Sequence, residues 1–313
     1  MSLSVYHTWK GLAPADRGAA VAFGNFDGVH LGHQRVIADA ADAAYRLGAP
    51  IGVVSLEPHP IAVFRPEEPP FRLTNPHQLA RAVEDAGAQR LYLLPFGHQM
   101  ASLSDRAFVE EILVGGLGVR HIAVGFNSTF GNGRSGNPDA LRRYGEELGF
   151  TVSVTERIEA DDGLKISSTA IREAIKAGDP VHAARLLGRP FAIEGIVQKG
   201  RQLGRQLGIP TANVPLGDYV TPKLGVYATR TRLKDGRELG GVTNIGENPT
   251  TGIVEARLEV WLFDFDEDIY GETIETALIG FIRPEEKYDT VEEMLKVIAG
   301  DAATAREILG LAR

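Results

Sequence analysis

Between residues 19 and 154, short apolar runs alternate with stretches whose apolar residues recur at helical spacing, and beyond residue 187 that alternation stops. The runs at 19–23, 51–56, 90–94, 121–124 and 151–154 read as strands. Between them, Val36, Ile37, Ala40, Ala41, Ala44 and Tyr45 repeat at helical spacing, and 79–86, 108–113 and 138–148 read as further helices. A parallel crossover needs a dozen or more residues and usually takes a helix, so this order predicts a parallel sheet with covering helices. The first domain, 1–186, is therefore expected to be α/β and Rossmann-like.

A helix over 181–187 closes that half. The segments 191–197, 226–231, 239–245, 255–263 and 273–282 are then short, rich in β-formers and separated by Gly, Asn, Asp and Pro, with no helical spacing until Thr290. This pattern predicts a small antiparallel β-barrel with a C-terminal helix over 187–313, the boundary falling at Leu187-Gly188-Arg189-Pro190. The length of 313 residues agrees with two domains at roughly 150 residues each.

The chain has no cysteine, which excludes a disulfide framework, a thiolate nucleophile and any Cys-ligated zinc or iron–sulfur site. Chemistry must come from His, carboxylates, hydroxyls and backbone. A net charge of −8 argues against a large nucleic-acid footprint. The N-terminal residues show no apolar signal-peptide core, and no window reaches ~18 consecutive apolar residues, so neither a membrane partner nor export is expected and the location expected is cytoplasmic.

Residues 21–34 read VAFGNFDGVHLGHQ: a strand, a glycine-bearing turn, and a helix starting near Gly32. Backbone N–H groups and the helix dipole favour an anion there. His30 and His33 are one helical turn apart, so both rings can serve one phosphate, and Gly24, Gly28 and Gly32 leave room around them. Further on, Ser167, Ser168 and Thr169 place hydroxyls at a helix start with Arg172 one turn in.

The stretch from Gly24, Asn25, Phe26 and Asp27 to His30 and His33 resembles the nucleotidyltransferase signature in the form used by bacterial bifunctional riboflavin kinase/FAD synthetases. That resemblance implies that the His-x-Gly-His residues hold the ATP triphosphate during nucleotidyl transfer. Lys165 to Arg172 is similar to the family's Ser-Ser-Thr-x-Ile-Arg element, which implies binding of the outer phosphates. Gly125 to Gly131 resembles its Gly-x-Asn-Phe-Thr-Phe-Gly loop, with Asn127 at the nucleotide position and Ser128 departing from the usual aromatic. Glu57-Pro58-His59-Pro60 matches the Pro-His-Pro loop, which implies that His59 and Pro60 lie on the flavin side.

In the second half, Gly195 and Gly200 are spaced as in a P-loop, but Arg201 and Gln202 stand where Lys and Ser/Thr are needed, so a Walker A site is rejected. What remains is a loop with Gly200, Gly204 and Gly208, followed by Pro210, Thr211, Ala212 and Asn213. In an extended strand Thr211 and Asn213 point the same way, and such hard oxygen ligands suit a Mg²⁺ already held by nucleotide phosphates. Alternation from Val254 to Phe263 puts Glu255, Arg257 and Glu259 on a polar face, where either glutamate is a candidate proton acceptor.

This half resembles the flavokinase signature Gly-x-Pro-Thr-Ala-Asn. The resemblance continues through Gly225-Val226-Tyr227, Asn244-Ile245-Gly246 with Pro249-Thr250, and Asp268-Ile269-Tyr270-Gly271. It implies that Glu259 is the catalytic glutamate and that Asn244 joins the nucleotide and flavin contacts. Across the chain it implies a bifunctional enzyme. One domain phosphorylates riboflavin with ATP to give FMN and ADP, and the other adenylylates FMN to give FAD and pyrophosphate, both with Mg²⁺. Self-association stays open. The alternatives weighed are an adenylyl- or cytidylyltransferase of another substrate, disfavoured by the second domain, and a flavin-sensing binding protein, disfavoured by the intact His30, His33, Thr211, Asn213 and Glu259.

Overall fold

Six strands of the first half pair only in parallel in the computed structural model, which describes residues 2–158, 165–199, 208–248 and 255–311. They are β1 (Ser4–Tyr6), β2 (Ala20–Phe23), β3 (Ile51–Glu57), β4 (Arg90–Pro95), β5 (His121–Gly125) and β6 (Thr151–Thr155), in spatial order β1-β4-β3-β2-β5-β6. Both faces are buried, as parallel sheets require. Val21, Val54, Tyr92 and Ile122 enter one core, whereas Ala22, Val53, Leu91 and Ala123 enter the other beneath Ile37 of helix α1 (Leu31–Leu47). The period-2 alternation of the strands thus feeds two cores rather than one core and solvent.

The expected strands all form. The helix expected at 79–86 begins earlier, at Pro76, and runs to Asp85; Phe108–Gly116 takes a π-helical course rather than an α-helical one. β1 had no sequence expectation. It is a three-residue edge strand, too short for alternation to register.

The second sheet is antiparallel throughout: β7 (Ala192–Ile196), β8 (Ala212–Pro215), β9 (Gly225–Arg232), β10 (Glu238–Asn248), β11 (Glu255–Leu262) and β12 (Thr273–Arg283), in the order β7-β12-β9-β10-β11-β8. The Gln198 N–H donates to the Asn213 carbonyl at 2.8 Å, which brings the two ends together into a nearly closed barrel. Its interior holds Leu258 and Val260 together with threonines that satisfy one another, Thr229 with Thr243 at 2.9 Å and Thr231 with Thr276 at 3.1 Å. Outside, Val226, Ala228, Val242 and Phe263 pack on Ala305 and Leu309 of the C-terminal helix Val291–Leu309. Arg283 anchors that helix through Asp301, at 2.9 Å from Nε and 2.7 Å from Nη2.

Cα packing divides the chain into Met1–Glu68 with Pro76–Ile166, and Pro69–Asn75 with Ser167–Arg313. The sequence pattern places its seam at 186 and 187, whereas the helices Ser168–Ala177 and Pro180–Leu187 group with the barrel. The physical reason is burial: the second of these helices packs on β12 and buries Ala183, Leu186 and Leu187. Pro69–Asn75 crosses over for a different reason. Arg72 forms a parallel bridge with Tyr219, donating N–H to the Asp218 carbonyl and accepting from Val220 N–H, both at 2.9 Å.

Candidate active sites

In the first unit, β2 ends at Phe23 and the chain turns through Gly28 (φ 90°) and Val29 (φ 41°) before α1 begins at Leu31. His30 is the N-cap of α1: its Nδ1 accepts the His33 N–H at 3.2 Å. A ring nitrogen that accepts carries no proton, so the neutral ring bears its hydrogen on Nε2. His33 stacks on His30 with centroids 3.6 Å apart and planes 16° apart, and the buried Phe26 ring meets His33 edge-on at 5.1 Å. Asp27 is buried as well.

Of the three glycines expected to open space around the pair, Gly32 is the one that abuts it. A Cβ there would stand 3.1 Å from the His30 ring, tight enough to push the cap aside. Gly28 instead supplies a left-handed turn, and Gly24 faces Phe26 at ordinary contact distance.

Asn127 lies exposed on the turn after β5, closed by the Ser128 N–H to the Gly125 carbonyl at 3.0 Å. Ser128 itself is half-buried, and the aromatic packing of this loop comes from Phe130, buried against Phe23 and Phe108. His59 caps the short helix Pro60–Phe64 by accepting Ile61 N–H at 3.2 Å; Phe64 at its end is 59% exposed and meets Phe96 edge-on. A cavity of about 570 Å³ lies elsewhere, along α1 and β6, and on its wall Arg35 pairs with Asp39 at 3.0 Å.

Ser167, Ser168, Thr169 and Arg172 belong to the second unit. Ser167 is the N-cap, accepting Ala170 N–H at 3.2 Å, Thr169 is exposed, and Arg172 is half-buried.

The barrel assembles its polar residues through strand register. Glu259 stands directly opposite Asn244 on β10 and Asn213 on β8, so the three side chains share one face in a single row. The alternation expected for this strand holds, with Leu258, Val260 and Leu262 buried on the opposite face. Asn213 Nδ2 donates to the Thr211 carbonyl at 3.4 Å, which turns its Oδ1 away from that carbonyl. Asn244 donates to Glu285 Oε1 at 3.1 Å, and a Cβ on Gly246 would overlap the same carboxylate.

Burial pushes the Glu259 carboxyl above its ordinary range; Arg257 opposes this and Glu285 adds to it. A desolvated carboxylate with raised proton affinity suits a general base. A cavity of about 210 Å³ is walled by Val197, Thr211, Ile269 and Tyr270 together with Val260 and Leu262, which face away from Glu259. Gly208 and Pro210 precede it on the described chain, whereas Gly200, Gly204, Pro249, Thr250 and Val254 lie outside the described residues. Glu255 is opposite Asn248 in register, and its side chain is likewise outside them.

Residues 12–170 match the family described as FAD synthetase, and residues 187–309 match the family described as riboflavin kinase. A bifunctional riboflavin kinase/FMN adenylyltransferase from Pseudomonas fluorescens is 43% identical over 298 residues, 95% of each chain. The chain belongs to the bifunctional riboflavin kinase/FMN adenylyltransferase family. The relative of that name from Escherichia coli K12 is 38% identical over 95% of this chain and 94% of its own. A crystal structure described as a macrolide-efflux protein from Streptococcus pneumoniae shares the fold at TM-score 0.86 and 32% identity, covering 98% of this chain and 99% of that one. Among the described residues no helix is long and apolar enough to cross a membrane.

Sequence reasoning passed over Glu285 and Phe64. Glu285 reaches Asn244 from the segment after β12, a contact no spacing rule encodes. Phe64 carried a usable signal, a large apolar side chain just past the Pro-His-Pro loop.

Proposed function

We propose that the family's two reactions take place at two separate sites, with the kinase centred on the cross-strand row Asn244, Glu259 and Asn213. That row is the observation carrying the assignment, because it sets a desolvated carboxylate between two amides on one face of a barrel. Glu259 takes the proton from the terminal ribityl hydroxyl of riboflavin while that oxygen attacks the γ-phosphorus of ATP. The bond to the bridging oxygen breaks, and FMN and ADP result. The 210 Å³ cavity, lined by apolar side chains together with Thr211, Asp266, Glu267 and Asp268, suits the adenine, since those carboxylates disfavour phosphates there.

Mg²⁺ is part of this reading. Among the described residues no cluster of three or more His, Asp or Glu could hold a metal by itself. The donor set, a Thr211 hydroxyl and an Asn213 amide whose Nδ2 is the atom bonded to the Thr211 carbonyl, instead fits an ion that keeps its waters and its nucleotide phosphates. When bound, the ion would neutralise charge on the transferred phosphoryl group.

Adenylyl transfer belongs to the His30–His33 turn. A phosphate oxygen of FMN attacks the α-phosphorus of ATP, and pyrophosphate leaves without a covalent enzyme intermediate. His30 Nε2–H and His33 donate to the charge that develops, while Gly24, Asn25, Phe26 and Asp27 shape the turn. Asn127 contacts the nucleotide; for Ser167, Ser168, Thr169 and Arg172 of the second unit, the resemblance to the family's Ser-Ser-Thr-x-Ile-Arg element is what supports a role toward the outer phosphates. His59, Pro60 and the exposed ring of Phe64 offer the isoalloxazine a stacking surface. On the kinase side Gly200, Gly204, Gly208 and Pro210 flank the nucleotide. Small flavins and nucleotides as partners and a cytoplasmic location complete the reading.

The test is incubation of the purified protein with riboflavin, ATP and Mg²⁺, followed by chromatography. FMN should appear first and FAD after it. FMN made without FAD, or FAD made only from added FMN, would remove one of the two assignments.

A further inference from the structure

We propose that Arg257 is a further residue of the kinase site, its guanidinium receiving the phosphoryl group as that group passes to the ribityl oxygen of riboflavin. The inference rests on the reading of Glu259 as the base of that reaction, and every residue in it belongs to the second unit.

Arg257 lies two residues before Glu259 on β11, so both side chains leave the same face of the sheet, roughly 7 Å apart at the backbone. The two groups are close enough for the Arg257 charge to act on the Glu259 carboxyl. Register decides what stands beside them. Where Glu259 has Asn213 and Asn244 as cross-strand neighbours, Arg257 has Pro215 on β8 and Gly246 on β10, and neither offers a side-chain acceptor. Glu285 reaches over Gly246, since a Cβ there would overlap its carboxylate, but Oε1 of that carboxylate accepts from Asn244 at 3.1 Å. Arg257 Nε is buried and makes no hydrogen bond.

A buried guanidinium N–H without an acceptor is costly, and an anion that arrives with the substrate removes the cost. The reaction brings one. With adenine in the cavity that Val260 and Leu262 border, the nucleotide lies toward the far side of Glu259 from Arg257 along β11. The phosphoryl group then moves toward Arg257 as the ribityl oxygen bonds to the γ-phosphorus, the bond to the bridging oxygen of ADP breaks, and the proton goes to Glu259. Arg257 exchanges no atom. Its planar fork of N–H donors matches charge spread over the phosphoryl oxygens, and the same donors hold the phosphate of FMN before release. Riboflavin is neutral, so this contact separates product from substrate.

The test follows label from the γ-phosphate of ATP into flavin, catalysed by the full chain. Adenylyl transfer does not contribute to that readout, because there the γ-phosphate leaves in pyrophosphate. Arg257→Gln should lower kcat by roughly 10²-fold, as for loss of one donor to transition-state charge. The KM for riboflavin should move by less than about threefold, since the neutral substrate does not meet the cation. Added FMN should inhibit about tenfold less strongly, the loss expected for a charge-assisted hydrogen bond. Arg257→Lys keeps the charge without the fork, and its kcat should fall between that of Arg257→Gln and the parent. In Arg257→Ala, added guanidinium ion should restore part of the rate, and it should do nothing for Glu259→Gln.

A kcat within about threefold of the parent in Arg257→Gln, or a riboflavin KM that rises as steeply as the FMN inhibition constant, would overturn the proposal and leave Glu259 as the base. If Arg257→Gln does not fold, Arg257→Lys decides: unchanged kcat with unchanged FMN inhibition overturns the proposal, and a lowered kcat with unchanged riboflavin KM upholds it. Undiminished phosphorylation by Glu259→Gln would instead remove the reading on which the proposal rests.

Discussion

Asn244 donates a 3.1 Å hydrogen bond to Glu285, and through that bond a second carboxylate joins the row that holds Glu259. The Glu285 charge makes ionisation of Glu259 more costly, adding to the effect of burial.

Glu259→Gln keeps the shape of the side chain and removes the proton acceptor. Riboflavin phosphorylation should fall by on the order of 10²- to 10⁴-fold, with FMN adenylylation retained. Glu285→Gln removes a like charge, so the proton affinity of Glu259 drops and the acid limb of the phosphorylation rate should move to lower pH. Rate profiles against pH for both reactions check this. A loss on Glu255→Gln with Glu259→Gln active would show that the wrong glutamate of β11 had been chosen.

The same burial has a consequence for stability. The folded-state proton affinity of Glu259 is raised, so its favourable contribution is full below the ordinary carboxylate range and is lost as pH rises through the raised value. Glu259→Gln should therefore melt above the parent at about pH 8, and the gap should narrow toward about pH 4. Calorimetry across that range decides it; a gap that widens on acidification would mean that the carboxylate is stabilised in the fold.

His30 has two tasks that substitution can separate. As an N-cap it stabilises α1, and as an Nε2 donor it serves the phosphate. His30→Ala should lose both, at a stability cost on the order of 1 kcal/mol for the cap. Asn is a good N-cap, so His30→Asn should recover the melting temperature while adenylylation stays down by roughly 10²-fold. Recovery of activity along with stability would reduce His30 to a structural cap.

The strands and helices from residue 19 to residue 155 were legible because each buried run imposes its period on the sequence, and the polar face of β11 that carries Glu259 was legible because alternation fixes which side chains share a face. Register across strands was not: that Asn213 and Asn244 both oppose Glu259 depends on turn lengths elsewhere in the barrel. Phe71, Arg72 and Asn75 were silent for another reason. Phe71 accepts from the Arg172 side chain, Arg72 pairs with backbone atoms of Asp218 and Val220, and Asn75 donates to Glu194, all far away in sequence, and such contacts leave no periodic trace. The cap made by His30 could have been read, since a polar side chain immediately before an amphipathic run is an N-cap signal.

The placement of the helices before the barrel gives a prediction about fragments. A chain of 187–313 begins at the sequence boundary, whereas 167–313 keeps both helices that group with the barrel. Burying one Leu side chain contributes about 1.5–3 kcal/mol, and Pro180–Leu187 buries Leu186 and Leu187. The longer fragment should therefore melt at a clearly higher temperature. Both fragments lack Pro69–Asn75 and with it the Arg72 bridge to Tyr219, so both should melt below the barrel unit of the intact chain. Every member of the cross-strand row remains, and each fragment supplied with riboflavin, ATP and Mg²⁺ should make FMN and no FAD. Equal melting of the two fragments would show that the helices only lie against β12 without stabilising it. A 167–313 fragment that folds cooperatively yet makes no FMN would mean that the kinase site needs residues from outside 167–313, and the assignment of two separate sites would fall.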